Sequence, residues 1–102
     1  MSSGTDDRIH VVTHVDIMPK YTEEGARVLR DLAAQSAQHR GVVRFEIWQE
    51  PPRPNHFTIV SVWENQNAFN DYLSAESTRS FREKLQPMLG SPFDERVHRL
   101  LV

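Results

Sequence analysis

Histidine is the first residue type here whose spacing invites a chemical reading. His10 and His14 fall on one face of an extended segment, with Asp16 beyond them, and His56 and His98 can share that face. Imidazoles four residues apart on a strand lie roughly 13 Å apart, too far to hold one ion. Cross-strand pairs would be needed, and no spacing selects a metal. These four therefore read as polar residues of a sheet face or of a subunit interface. His39 ends a helical stretch, where the dipole favours a cation. With no cysteine in the chain, disulfides, thiolate nucleophiles and cysteine-ligated metals are excluded.

Three other side chains have the right chemistry for a dry organic pocket. Trp63 carries an indole N–H that donates and never accepts. It serves either a substrate oxygen or a local partner within the core. Tyr72 offers a phenol that can donate or take a proton. Arg82 can steady an anion, or can be a solvated helix charge.

These residues need elements to position them. Residues 8–17 are rich in β-branched types and stop before Pro19, which reads as a strand. Thr22 is expected to cap a helix with Glu23 and Glu24 in its first turn. Val28, Leu29, Leu32, Ala33 and Ser36 form its stripe, and Gly41 is expected to end it. Residues 42–50 and 56–64 read as strands joined by the proline-rich loop 51–55. Asn65 is expected to cap a short helix carrying Ala68, Phe69, Tyr72 and Leu73. Ser74 or Ser77 would then cap another, carrying Phe81 and Leu85 and interrupted at Pro87. Gly90, Ser91 and Pro92 make a turn, and the last strand is centred on residues 97–101.

The order is β-α-β-β-α-β, the ferredoxin-like arrangement: an α+β fold with a four-stranded antiparallel sheet and helices on one face. Alternation separates two sheet faces. Ile9, Val11, Thr13, Val15 and Ile17 share one with Val43, Phe45, Ile47, Phe57, Ile59, Ser61, Trp63, Val97 and Leu101. This set is expected under the helices. The other face is mixed, yet holds Val12, Val42, Trp48, Val60, Val62 and Leu100. A solvated face is normally more polar, so a sheet-to-sheet homodimer is expected, with an ordinary open face as the alternative.

Bulk properties set limits. The chain has 102 residues, enough for one domain, with 38% hydrophobic and 25% charged residues. Net charge is −2 with both signs interspersed, so no basic footprint points to nucleic acid. Residues 1–7 read as a disordered polar tail without signal-peptide character, and residues 8–102 as the domain. No apolar run approaches the ~18 residues of a membrane span. Absence of cysteine fits the cytoplasm.

From residue 8 to residue 101 the chain resembles the antibiotic biosynthesis monooxygenase (ABM) family of dimeric α+β barrels. The resemblance is carried by residues 41–48 (GVVRFEIW), 55–64 (NHFTIVSVWE), Ala68-Phe69, Tyr72-Leu73, Ser80-Phe81, Leu85, Gly90-Ser91-Pro92 and Arg96-Val97. The step from Trp63-Glu64 into a short helix with Ala68 is the most specific part. The resemblance implies a pocket between sheet and helices. It also implies kinship with cofactor-independent oxygenases of anthrones and quinols, haem-degrading enzymes and small-metabolite isomerases.

Carried over by position, Trp63 falls on the pocket tryptophan of the anthrone-oxidising branch. Tyr72 falls where many members have histidine and the haem-degrading branch has tryptophan. Arg82 matches an arginine of the anthrone branch across a one-residue gap. That branch's pocket asparagine falls at Ile59 and its tyrosine at Phe69, so two of its polar groups are absent. The haem-degrading branch's axial histidine falls at Arg82, which stays protonated and does not ligate iron. Its strand asparagine falls at Thr13 or His14. The resemblance thus implies catalytic roles for Trp63, Tyr72 and Arg82, with Thr13, Ile59, Phe69 and Phe81 lining a substrate site. No cofactor or metal is expected, and molecular oxygen would be co-substrate. An isomerase of the same fold and a non-catalytic ligand-binding module remain the alternatives.

Overall fold

The computed structural model describes residues 7–102; the expected tail falls almost wholly on residues 1–6, outside the described residues. Besides two short 3₁₀ turns, the strands and α-helices follow in order: β1 (Ile9–Asp16), α1 (Thr22–Ser36), β2 (Val42–Gln49), β3 (His56–Trp63), α2 (Gln66–Ser74), α3 (Glu76–Leu85) and β4 (Asp94–His98). All strand pairs are antiparallel, in the sheet order β2-β3-β1-β4. This is the expected ferredoxin-like α+β arrangement, with the helical layer divided into α1 and the α2–α3 pair.

The alternating face of β1 is buried as expected: Ile9, Val11, Thr13, Val15 and Ile17 are at most 7% exposed. Two apolar clusters share the space under the helices. One gathers Val15, Ile17, Leu29, Leu32, Phe57, Ile59, Leu85 and Met88, with half-buried Phe81 against it. The other gathers Ile9, Val11, Trp63, Phe69 and Tyr72. Half-buried Phe45 touches both.

Several local expectations are corrected. Thr22 does not cap α1: Pro19 starts a 3₁₀ turn that runs straight into the helix, and the Thr22 hydroxyl donates to the Pro19 carbonyl at 2.8 Å. Gly41 does not end α1, which stops at Ser36. It sits at φ +85° ahead of β2, and its carbonyl accepts from the Glu64 N–H at 2.9 Å. Neither Ser74 nor Ser77 caps α3; the single extended residue Ala75 ends α2 and starts α3.

A β-bulge reverses the start of β2. Val42 pairs with Trp63 and Arg44 with Val62, which leaves Val43 as the extra residue, 41% exposed. Val42, not Val43, therefore faces the helices. The last strand begins and ends earlier than expected. Its pairing stops at His10–His98, next to the first residue of β1, so Leu101 lies beyond the strand and is 93% exposed.

Candidate active site

The end of β3 and the start of α2 bring the aromatic residues together. β3 ends at Trp63, and Asn65 caps α2 by accepting the Ala68 N–H at 2.8 Å. This satisfies one of the unpaired donors of the helix start and fixes where α2 leaves the sheet. Phe69 and Tyr72, three residues apart on α2, then fall on one face. The Tyr72 ring lies 4.5 Å from the Trp63 ring, tilted by 33°. Phe69 packs 5.8 Å from Trp63, and Phe45 meets Tyr72 edge-on at 6.1 Å. His39 stands edge-on to both Trp63 and Tyr72, at 6.0 and 5.3 Å.

A belt of polar groups runs beside this cluster. Among the described residues the buried polar side chains are Thr13, Ser36, Ser61 and Thr78. Ser61 accepts the Trp63 indole N–H at 3.0 Å. The Ser36 and Tyr72 hydroxyls share a hydrogen bond of 2.8 Å. One carboxylate oxygen of Glu95, Oε2, accepts from both Thr13 Oγ1, at 2.8 Å, and Arg82 Nη2, at 2.6 Å. That ion pair is about three-quarters buried, with 27% of the Arg82 side chain and 19% of the Glu95 side chain exposed. Arg82 also lies over the Phe93 ring.

Burial pushes the Tyr72 phenol above its ordinary pKa. The Ser36 hydroxyl and the Arg82 charge pull it down, the Glu95 charge adds to the rise, and the Thr78 hydroxyl pulls down slightly. Desolvation wins, so Tyr72 is a neutral phenol at neutral pH.

Trp63, Phe69 and Tyr72 are in mutual contact. Thr13 and Arg82 meet through Glu95. Ile59, paired with Thr13 across the sheet, and Phe81 belong to the other apolar cluster. Trp63 is 0% exposed and its neighbours fill the space beside it, so the cluster is closed. An open cavity of about 270 Å³ lies instead toward the far end of β3, between α1 and β2.

Ser36, His39, Ser61, Thr78 and Glu95 join the site without being marked as site residues by the sequence. The available signal was a hydroxyl on an apolar stripe: Ser36 and Ser61 stood on the faces expected under the helices. Glu95 carried no such mark. It shares the inner face with Val97, but lies before the stretch where the last strand was expected. As for the histidines, His56 meets Asp16 at 3.1 Å and His10 pairs with His98. Among the described residues no three His, Cys, Asp or Glu side chains could hold a metal ion. Also among them, no helix is long and apolar enough to cross a membrane.

A four-stranded antiparallel sheet, helices on one face and an aromatic cluster walled by hydroxyls define a ferredoxin-like α+β protein with a buried polar seam. The antibiotic biosynthesis monooxygenase family model matches residues 8–84, and the chain belongs to that family. Solved structures share the fold at low identity. A conserved protein from Methanosarcina mazei Go1 has TM-score 0.87 and 16% identity, covering 94% of this chain and 95% of that one. A variant of SnoaB, a cofactor-independent oxygenase from Streptomyces nogalater, has TM-score 0.83 and 19% identity, covering 94% and 95%. A Shewanella oneidensis protein has TM-score 0.84 and 18% identity, covering 93% and 92%. No curated protein matches the sequence.

Proposed function

We propose that this protein is a cofactor-independent monooxygenase of a small phenolic or quinol-type aromatic metabolite, working as a cytoplasmic homodimer. The observation that carries the reading is the direct packing of Trp63 on Tyr72 beside buried hydroxyls and the Arg82–Glu95 pair. Family membership and the likeness to SnoaB support the reaction type.

The chemistry asks little of the protein. A phenolic ring that activates a neighbouring CH₂ loses a proton to solvent, which returns it when water is later expelled, and the resulting anion passes an electron to dioxygen. Recombination and loss of water leave a carbonyl. The substrate carbon supplies four electrons; one oxygen atom enters the product and the other leaves as water. The protein contributes a dry site, hydrogen-bond donors for the oxyanion and a fixed positive charge. In this reading the Tyr72 hydroxyl and the Trp63 N–H exchange their present partners, Ser36 and Ser61, for substrate oxygen. Arg82 steadies the anion, and Thr13, Ile59, Phe69 and Phe81 line the space. Because the cluster is closed, the substrate enters by displacing packed rings, for which half-buried Phe45 and His39 are best placed.

The test is oxygen consumption with a panel of anthrones and quinols, without added flavin or metal. Uptake of one dioxygen per product carbonyl is expected, with kcat falling about 100-fold in Tyr72→Phe or Trp63→Phe. Uptake no faster than in buffer across the panel rejects the reading. Isomerisation without oxygen uptake would put a same-fold isomerase in its place. Binding without conversion would make the protein a ligand-binding module, a role consistent with donors already satisfied internally.

A further inference from the structure

The cavity between α1 and β2 belongs to no part of the site described above. β2 is an edge strand, so the space beneath α1 opens sideways to solvent there. Leu29, Ile47 and Phe57 make its floor. Ala26 and Ala33, seven residues apart on α1, flank Leu29, and their small side chains leave the groove unfilled. At the mouth stand Arg30 and Gln49. A second cavity of about 280 Å³ shares Ala26, Arg30 and Gln49 with the first and adds Arg27, with Thr22 and Glu23 also on its wall.

The mouth is cationic and uncommitted. Among the described residues, ion pairs engage Arg44, Arg53, Arg82 and Arg96, but neither Arg27 nor Arg30. Gln49 donates one Nε2 hydrogen to the Pro54 carbonyl at 2.7 Å, which holds the amide in place and leaves its oxygen to accept another bond. An apolar floor, a guanidinium and one oriented acceptor make the usual composition of a small-molecule site. At about 270 Å³ the first cavity falls just below the ~300–1,000 Å³ range of such sites, which fits one ring rather than a polycyclic skeleton.

We propose that the α1–β2 cleft binds a small hydroxy-aromatic carboxylate, its ring on Leu29, Ile47 and Phe57, its carboxylate on Arg30 and its hydroxyl donating to Gln49. Arg27 reinforces the positive end, while the Glu23 carboxylate confines the anion to the Arg30 side. The proposal does not depend on the oxygenase reading, since a protein that consumes no oxygen would bind here equally well.

The probe is 4-hydroxybenzoate, titrated into the full chain while backbone amide resonances are followed by NMR. Saturable shifts are expected at Ala26, Arg30, Ala33, Ile47 and Gln49. The uncharged analogue 4-hydroxybenzamide should bind at least about tenfold more weakly, as should 4-hydroxybenzoate to Arg30→Gln. Arg30 is exposed on α1, so this variant should keep the wild-type spectrum elsewhere. Ala33→Leu fills the groove without touching charge and should also remove binding. Absence of saturable shifts at these residues up to about 10 mM probe overturns the proposal. Equal affinity for the uncharged analogue, or unchanged binding in Arg30→Gln, also overturns it.

Discussion

Tyr72 ties together most of what is chemical in this molecule, and its ionisation is its most measurable property. Its phenol is 4% exposed and hydrogen-bonded to Ser36, and burial raises its pKa above the ordinary 10.0. In the unfolded chain the same group ionises near that ordinary value. Between the two values the unfolded state has lost a proton that the folded state keeps, so stability falls with rising pH. The contribution is fully present below pH 10, and it disappears as pH climbs through the folded value. Tyr72→Phe removes this dependence while leaving the ring packing on Trp63. Thermal midpoints from pH 8 to 11 should therefore fall less steeply in Tyr72→Phe than in the wild type. Parallel curves would show that Tyr72 is not desolvated. At neutral pH the variant loses one buried hydrogen bond and leaves Ser36 with an unpaired hydroxyl, a cost of about 1–2 kcal/mol.

At the scale of elements, α2 is the piece on which the site depends, and two residues outside it fix its position. Asn65 caps it, and Gly41 lets the chain pass close beneath it. A Cβ on Gly41 would come within 2.5 Å of the Ala68 Cβ, and φ there is +85°. Gly41→Ala thus combines a left-handed backbone cost of about 1–2 kcal/mol with a clash against the helix start. A loss of about 2–4 kcal/mol in urea unfolding is expected. Ala68→Gly added to it should recover the clash but not the backbone cost, so the double variant falls between. Recovery of nothing would mean that the clash is relieved elsewhere. Asn65→Ala should cost about 1 kcal/mol. These anchors also show what the sequence makes legible. Asn65, placed between an alternating run and a periodic one, was readable as a cap because its signal is local. Gly41 reads locally as a helix end, which it is not; its reason is a positive φ and contact with a helix 27 residues onward. The bulge at Val43 leaves no local trace. The run Asp94-Glu95-Arg96 looks like loop, and Glu95 is tolerated on the inner face only because Arg82 and Thr13 meet it there. Of the residues brought to the seam, those on strongly patterned stripes could be found in advance. Those whose burial depends on a distant partner could not.

For the whole molecule, the open sheet face decides whether one chain is the working unit. Arg44, Glu46 and Trp48 line up on the outer side of β2. Glu46 accepts from Arg44 at 2.9 and 3.0 Å and from the Trp48 indole at 3.1 Å. The Arg44 bond and the Trp48 bond hold the Glu46 carboxyl below its usual pKa. Trp48 is nonetheless 54% exposed, with its only donor occupied, so what it offers outward is ring. Val12 and Val60, paired across β1 and β3, are half-buried on the same face. An exposed aromatic ring is a common anchor of a protein interface. The proposed homodimer buries it against a second copy, face to face. Light scattering at micromolar concentration should then give twice the 11.8 kDa chain mass. Trp48→Asp should shift the dissociation midpoint upward at least about 30-fold, the equivalent of an anchor worth roughly 2 kcal/mol. Because the introduced carboxylate would stand two residues from Glu46, Val12→Lys, on β1 and separated from Glu46 by Val60 of β3, provides an independent disruption. Each variant should keep the wild-type circular dichroism spectrum, which separates lost association from lost folding. A monomer mass for the wild type at that concentration would refute the dimer. The pocket side would be untouched by that result, since Trp63, Tyr72, Arg82 and Glu95 all belong to a single chain and lie on the opposite side of the sheet.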